Sequence, residues 1–159
     1  MKGKFKNAIK INRPFILAEV SQRLYPEIVN LKDFSPNKNK ILLVDDEPDL
    51  TQVSTLSLEY YGFRVDSFND PQEALSQYEP GSYDLVILDI KMPKMDGFEL
   101  YHEIKKKDNN ARVCFLTASE LYYEEFRKKE YCALDKNMFI RKPIENEELV
   151  REIQKIIKI

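Results

Sequence analysis

Polar residues with chemical potential stand where short apolar runs end. Asp45 and Asp46 follow Ile41-Leu42-Leu43-Val44, Asp89 follows Leu85-Val86-Ile87-Leu88, and Thr117 follows Val113-Cys114-Phe115-Leu116. Lys142, with Pro143 behind it, comes just after Met138-Phe139-Ile140. Three carboxylates brought to one crevice repel and raise one another's pKa values unless a cation joins them. Hard oxygen donors suit Mg²⁺, which keeps several waters and is held by one or two carboxylates plus phosphate oxygens. A nearby lysine adds a compact positive charge, and a threonine hydroxyl adds a hydrogen bond. The set fits an aspartyl phosphate: a carboxylate nucleophile, a metal to offset charge, and an ammonium and hydroxyl to hold phosphoryl oxygens.

Such a set needs a scaffold that carries the run ends to one place. Wholly apolar runs of four suit strands buried on both faces, and so a parallel sheet covered by helices. Val65-Asp66-Ser67-Phe68 is more mixed and suits an edge strand, and Met138-Phe139-Ile140 is the fifth candidate. The segments between carry helix starts. Pro48 can open a helix in which Leu50, Val53, Leu56 and Tyr60 recur at helical spacing. Asp70-Pro71-Gln72-Glu73 sets an N-cap, an N1 proline and an N3 glutamate in order, and Asp96-Gly97-Phe98-Glu99 repeats the cap-to-N3 spacing. A last helix follows Pro143, with Ile144, Leu149, Ile153 and Ile156 or Ile157 on one face. Five β/α units make an α/β, doubly wound open sheet, which binds ligands beyond the carboxyl ends of its strands.

Four motifs now in hand resemble one family, the receiver domains of two-component response regulators. They are Val44-Asp45-Asp46-Glu47-Pro48, Leu88-Asp89-Ile90-Lys91-Met92-Pro93-Lys94-Met95-Asp96-Gly97, Thr117-Ala118 and Arg141-Lys142-Pro143, in the family's order from about Lys40 to Ile159. The resemblance implies a five-stranded parallel, flavodoxin-like sheet of order 2-1-3-4-5. It implies that Asp89 accepts a phosphoryl group from a histidine kinase or phosphotransfer protein, with Mg²⁺ or Mn²⁺ as cofactor. Asp46 and Asp89 would hold the metal, Asp45 would assist through water, and the backbone carbonyl of Lys91 would complete the protein's share. Lys142 would contact the phosphoryl group across a cis bond to Pro143, and Gly97 would shape the loop. Thr117 and Phe139 would act as the switch, through a face built of the fourth helix, fifth strand and fifth helix. Such a domain promotes only its own phosphorylation and dephosphorylation, so it is not an enzyme in the usual sense.

Other classes fit less well. A phosphohydrolase using an aspartyl phosphate needs its nucleophile and acid/base two residues apart on the first strand, whereas Asp45 and Asp46 are adjacent and Glu47 follows. A flavodoxin-like binding module would have a Ser/Thr/Gly loop where these acids stand. A degenerate receiver working by protein contact alone would not need every key position intact. His102, the single histidine, reads as a solvated helix residue, and Lys105-Lys106-Lys107 as a helix end where cations favour the carbonyl pole.

At 159 residues, 43% apolar and 33% charged, the chain fits one domain plus an extension. No apolar run approaches the roughly 18 residues that span a bilayer, and no signal-peptide core forms, so a cytoplasmic protein is expected. Cys114 and Cys132 lack metal-type spacing and read as reduced thiols. Residues 1–39 hold eight Lys/Arg against three acids, and residues 40–159 hold 17 against 24. So acidic a domain is a poor direct partner for nucleic acid. The division falls in Ser35-Pro36-Asn37-Lys38-Asn39, a turn-rich linker. Leu17, Val20, Leu24 and Leu31 after Pro14 predict a partly helical N-terminal extension, kinked at Pro26 and docked on protein. From Ser119 to Asn137 the sequence departs from the family pattern, with Cys132-Ala133-Leu134 and the aromatics Tyr122, Tyr123, Phe126 and Tyr131. The chain ends about where the fifth helix should, so output is expected through a protein target, a possible homodimer or the extension.

Overall fold

The computed structural model describes residues 39–118 and 138–158. The expected N-terminal extension and the expected fourth helix, with its aromatics and Cys132, lie outside the described residues.

The strands are β1 (Lys40–Val44), β2 (Arg64–Phe68), β3 (Leu85–Asp89), β4 (Val113–Thr117) and β5 (Phe139–Arg141). They form one parallel sheet in the order β2-β1-β3-β4-β5. β3 and β4 are buried at every position and β1 at all but its first. That explains their continuous apolar sequences: covering both faces removes the in/out alternation. β2 at the edge has a mixed burial pattern and a mixed sequence. β5 has three residues and begins one position later than the sequence suggests.

The helices are α1 (Pro48–Tyr60), α2 (Pro71–Gln77), α3 (Gly97–Lys107) and α4 (Asn146–Lys158). Strand residues alternate between two cores. Leu42, Val44, Val86, Leu88 and Phe115 pack with Ala74 of α2 and Leu100 and Ile104 of α3. Ile41, Leu43, Leu85, Ile87, Cys114 and Leu116 pack on the other face with Leu58 of α1 and Leu149, Val150 and Ile153 of α4.

Chain-entry chemistry differs between helices. Asp96 and Glu99 form a full reciprocal capping box at α3. At α2, Asp70 accepts from the N–H groups of Gln72 and Glu73, but the Glu73 carboxylate accepts from Gln77 Nε2 instead of returning to the cap. The expected box there is therefore an N-cap alone. α1 ends in a Schellman turn: Gly62, at φ 89°, donates to Glu59 O and Phe63 donates to Leu58 O. α1 is the helix that Pro48 and the apolar spacing predict, but the spacing does not mark its buried face. Leu50, Val53, Leu56 and Tyr60 are 45–58% exposed, while Thr51 and Leu58 are the buried positions. The apolar stripe that announces the helix is its outer face.

Candidate functional site

The carboxyl ends of β1, β3, β4 and β5 bring Asp45, Asp89, Thr117 and Lys142 together. Asp45 follows β1 directly, and its N–H donates to Phe68 O at 3.2 Å, tying it to the end of β2. Its Oδ1 accepts from the Glu47 N–H at 3.0 Å, so the acidic turn folds back on itself. Asp46 sits half-buried on that turn. Asp89 is the last residue of β3, paired with Leu116 of β4. Its Oδ2 accepts from the Lys91 N–H at 2.7 Å.

Lys142 joins these acids. Its Nζ donates to Asp45 Oδ2 at 2.6 Å and Asp89 Oδ1 at 2.7 Å. Its backbone N–H donates to Thr117 O at 2.7 Å, fixing it beside the end of β4. The bond from Lys142 to Pro143 is cis. Asp45 is 3%, Asp89 7% and Thr117 6% exposed. Burial raises the Asp89 pKa, and the Asp45 charge adds to this against the opposing pull of Lys142 and the Lys91 N–H. A carboxylate held above its ordinary pKa is more basic, and so a better nucleophile. Burial works against the Lys142 ammonium, yet its hydrogen bonds and charge interactions with Asp45 and Asp89 outweigh that and raise its pKa.

Gly97 opens α3 under the site. Its N–H donates to Ile90 O at 3.0 Å, and a Cβ placed on it would lie 2.2 Å from the Asp89 carbonyl oxygen. The glycine is thus needed for close approach to the Asp89 backbone. Phe139 lies half-buried on β5, stacked on Phe115 with centroids 5.2 Å apart. His102 is exposed on α3. The lysines at the end of α3 reach carbonyls, Lys105 to Asn109 and Ala111 and Lys107 to Leu75.

Donor chemistry at the crevice fits a hard cation. Asp45 and Asp89, the two acids that Lys142 joins, offer carboxylate oxygens, and the other donors that the family resemblance implies, the Asp46 carboxylate and the Lys91 carbonyl, are oxygens too. Among the described residues no three acidic, histidine or cysteine side chains are gathered into a closed metal cage. Mg²⁺ needs only one or two carboxylates and completes its octahedron with water.

Sequence reasoning did not find two further parts. Thr51 and Asn69 both bond the Asp45 carbonyl oxygen. Asp70 pairs with Lys94, which holds a left-handed φ of 69° in the loop after Asp89. The available signal was positional: Asn69-Asp70 directly follows β2, and the carboxyl ends of strands are where this architecture places its chemistry.

Comparison with known proteins agrees with this geometry. Residues 41–154 match the response regulator receiver domain family. The transcriptional regulatory protein TrcR of Mycobacterium tuberculosis is 32% identical over 119 residues, covering 75% of this chain and 45% of that protein. The CpxR homolog of Haemophilus influenzae is 37% identical, covering 76% and 51%. The chain thus spans about half the length of these relatives. Among solved structures, the non-phosphorylated HemR receiver domain of Leptospira biflexa superposes with a TM-score of 0.67 at 34% identity, over 77% of this chain and 96% of that one. The response regulator TrrA of Thermotoga maritima, in complex with Mg²⁺ and BeF, gives 0.63 at 35% identity, over 74% and 98%. No described helix is long and apolar enough to cross a membrane. Residues 41–154 therefore belong to the receiver domains of two-component response regulators, and the described strands run in the order β2-β1-β3-β4-β5 that the family resemblance implies.

Proposed function

We propose that this domain is a phosphoacceptor switch in which Asp89 takes a phosphoryl group from phosphohistidine on a histidine kinase or phosphotransfer protein. The observation that carries the reading is the Lys142 ammonium lying between two buried carboxylates, 2.6 Å from Asp45 and 2.7 Å from Asp89. An Asp89 oxygen bonds to phosphorus as the P–N bond of the donor breaks. The electron pair of that bond goes to the imidazole nitrogen. Lys142, already within hydrogen-bond reach of Asp89, then holds a phosphoryl oxygen. Mg²⁺ or Mn²⁺, held by Asp46, Asp89 and the Lys91 carbonyl with Asp45 acting through water, would supply the remaining positive charge.

Output follows from what the phosphoryl group draws towards itself. Thr117 closes β4 and is bonded through its carbonyl to Lys142, so a hydroxyl moving to the phosphoryl group shifts the end of β4 against β5. Phe139 rests on Phe115, two residues before Thr117 on the same strand. The altered face is then read by a protein target or a second copy. The domain catalyses only its own phosphorylation and dephosphorylation.

The test is labelling by acetyl phosphate or phosphoramidate. Wild type takes up label with Mg²⁺ or Mn²⁺ and not after chelation, and hydroxylamine removes it. Asp89→Asn falls to background, because an amide is no nucleophile. Label in Asp89→Asn at the wild-type level would sink the assignment.

A further inference from the structure

We propose that Thr51 and Asn69 are positioning residues for the metal-binding acids, acting on the main-chain carbonyl of Asp45. The inference rests on the functional reading above and adds to it a pair of side chains outside the family-like motifs. The Asp45 carbonyl oxygen accepts from Asn69 Nδ2 at 2.7 Å and lies 3.0 Å from Thr51 Oγ1. Asn69 Nδ2 also donates to Thr51 Oγ1 at 2.8 Å. The proton count closes: the amide spends its two hydrogens on the carbonyl and the hydroxyl, and the hydroxyl proton goes to the Asp45 or the Glu47 carbonyl, 3.0 and 2.8 Å away.

A threonine hydroxyl bonding four residues back is ordinary helix behaviour, and it accounts for the Glu47 contact alone. It does not account for a bond to Asp45, six residues back, or for an amide reaching in from the end of β2. Thr55, one turn further along α1, has a buried hydroxyl oxygen with no partner, so helix geometry does not create such a network by itself. Thr51 is 3% exposed on the face of α1 turned to the sheet. Its hydroxyl is a polar group kept where an aliphatic side chain would pack.

The consequence lies in the next peptide. The Asp45 carbonyl belongs to the peptide plane joining Asp45 to Asp46. Fixing that oxygen fixes the rotation of the plane, and with it where both carboxylates leave the backbone. Asn69-Asp70 also reaches the other wall of the crevice, through the Asp70–Lys94 pair. That pair is exposed and worth little, so the Asn69–Thr51–Asp45 network carries the effect.

Binding of Mn²⁺ to the full chain, read as loss of the free-ion electron paramagnetic resonance signal, tests this apart from phosphorylation. Thr51→Val and Asn69→Ala should each raise the Mn²⁺ Kd about 10-fold, the lower end for residues that orient metal ligands. Thr51→Ser keeps the hydroxyl and should stay within about two-fold of wild type. Ile104→Val, a core change on α3 against the opposite face, should lower Tm without moving the Kd. Asn69→Ala alters an exposed residue and carries the test alone if Thr51→Val does not fold. Wild-type affinity in Asn69→Ala, equal losses in Thr51→Ser and Thr51→Val, or an equal loss in Ile104→Val would each overturn the proposal. If wild type itself binds no Mn²⁺, the metal-binding reading of the site falls first, and this inference with it.

Discussion

Both ends of the sheet carry a lysine set among aspartates, and only one end is built for chemistry. At the carboxyl end Lys142 bridges Asp45 and Asp89, with side chains 18%, 4% and 10% exposed. At the amino end Lys40 Nζ meets Asp66 at 2.7 Å, and its backbone N–H donates to Asp84 at 2.7 Å. There the Lys40 and Asp66 side chains are 31% and 42% exposed. Nearby acids are spent on structure: Asp108 accepts from Tyr78, Gly81 and Asn110, and Asp66 accepts from Tyr83. Residue types are therefore a poor guide to the chemistry. Desolvation separates the ends: burial lifts the Asp89 pKa, whereas the Lys40 hydrogen bond lowers that of Asp66.

The largest contrast expected is between two glycines. Gly97 packs under Asp89, where an added Cβ meets the carbonyl oxygen at 2.2 Å. Gly81, at the amino end, has a φ of 73° and open space around it. Gly97→Ala must push α3 off β3, at an overpacking cost of about 3 kcal/mol or more, and Asp89 labelling should be lost with it. Gly81→Ala incurs only left-handed backbone strain, about 1 kcal/mol. Thermal melts and acetyl phosphate labelling of both variants check this. A Gly97→Ala protein that melts and labels like wild type would show that α3 does not define the site.

The two lysines come next. Lys142→Ala leaves two buried carboxylates without their cation, which costs about 3 kcal/mol in metal-free buffer. Added Mg²⁺ should recover more Tm in this variant than in wild type, because it then replaces the cation lost from between the acids. Lys40→Ala removes an exposed pair and a cation 4.8 Å from the Tyr83 ring, worth about 1 kcal/mol or less. Equal losses would mean that burial does not separate the two ends.

How far the sequence exposed this difference varies by element. The central strands were legible because burial on both faces leaves an unbroken apolar run, and the run ends named Asp45, Asp89, Thr117 and Lys142. Helix starts were legible where a cap is local, as at Asp96 and Asp70. Periodicity identified α1 as a helix, but its apolar residues lie on both sides, so spacing alone did not say that Leu50, Val53, Leu56 and Tyr60 face outward. Thr51 and Asn69 were illegible for another reason. A single polar residue on a helix and another after a strand form no pattern until the fold brings them 2.8 Å apart. The family motif named Gly97, but the reason for its bare Cα, the close approach of α3 to the Asp89 backbone, shows only in the fold.

The smallest effect expected is also the most direct measure of the contrast, because its sign differs between the ends. Asp89 has a raised folded-state pKa, so the folded protein holds that proton more tightly than the unfolded chain does. The group favours folding below the unfolded carboxylate value of about 3.9, and that contribution is lost as pH rises through the folded pKa. At pH 7, without metal, the ionised Asp89 is thus a net cost, and Asp89→Asn should raise Tm by a few degrees. The gain should shrink towards pH 4 as the wild-type carboxyl protonates, and Mg²⁺ should narrow it from the other side by stabilising wild type alone. Asp66 has a lowered pKa, set first by the hydrogen bond from Lys40. Its contribution is present above about 3.9 and is lost as pH falls through the folded pKa. Asp66→Asn should therefore lower Tm at pH 7, by about 2 °C given its exposure, and the deficit should close in acid. Melting curves of the two variants against wild type from pH 3 to 8 should give differences of opposite sign at neutrality that converge at low pH. If Asp89→Asn lowers Tm at pH 7 as Asp66→Asn does, the Lys142 bridge outweighs desolvation, and Asp89 is held as an ordinary ion-paired carboxylate.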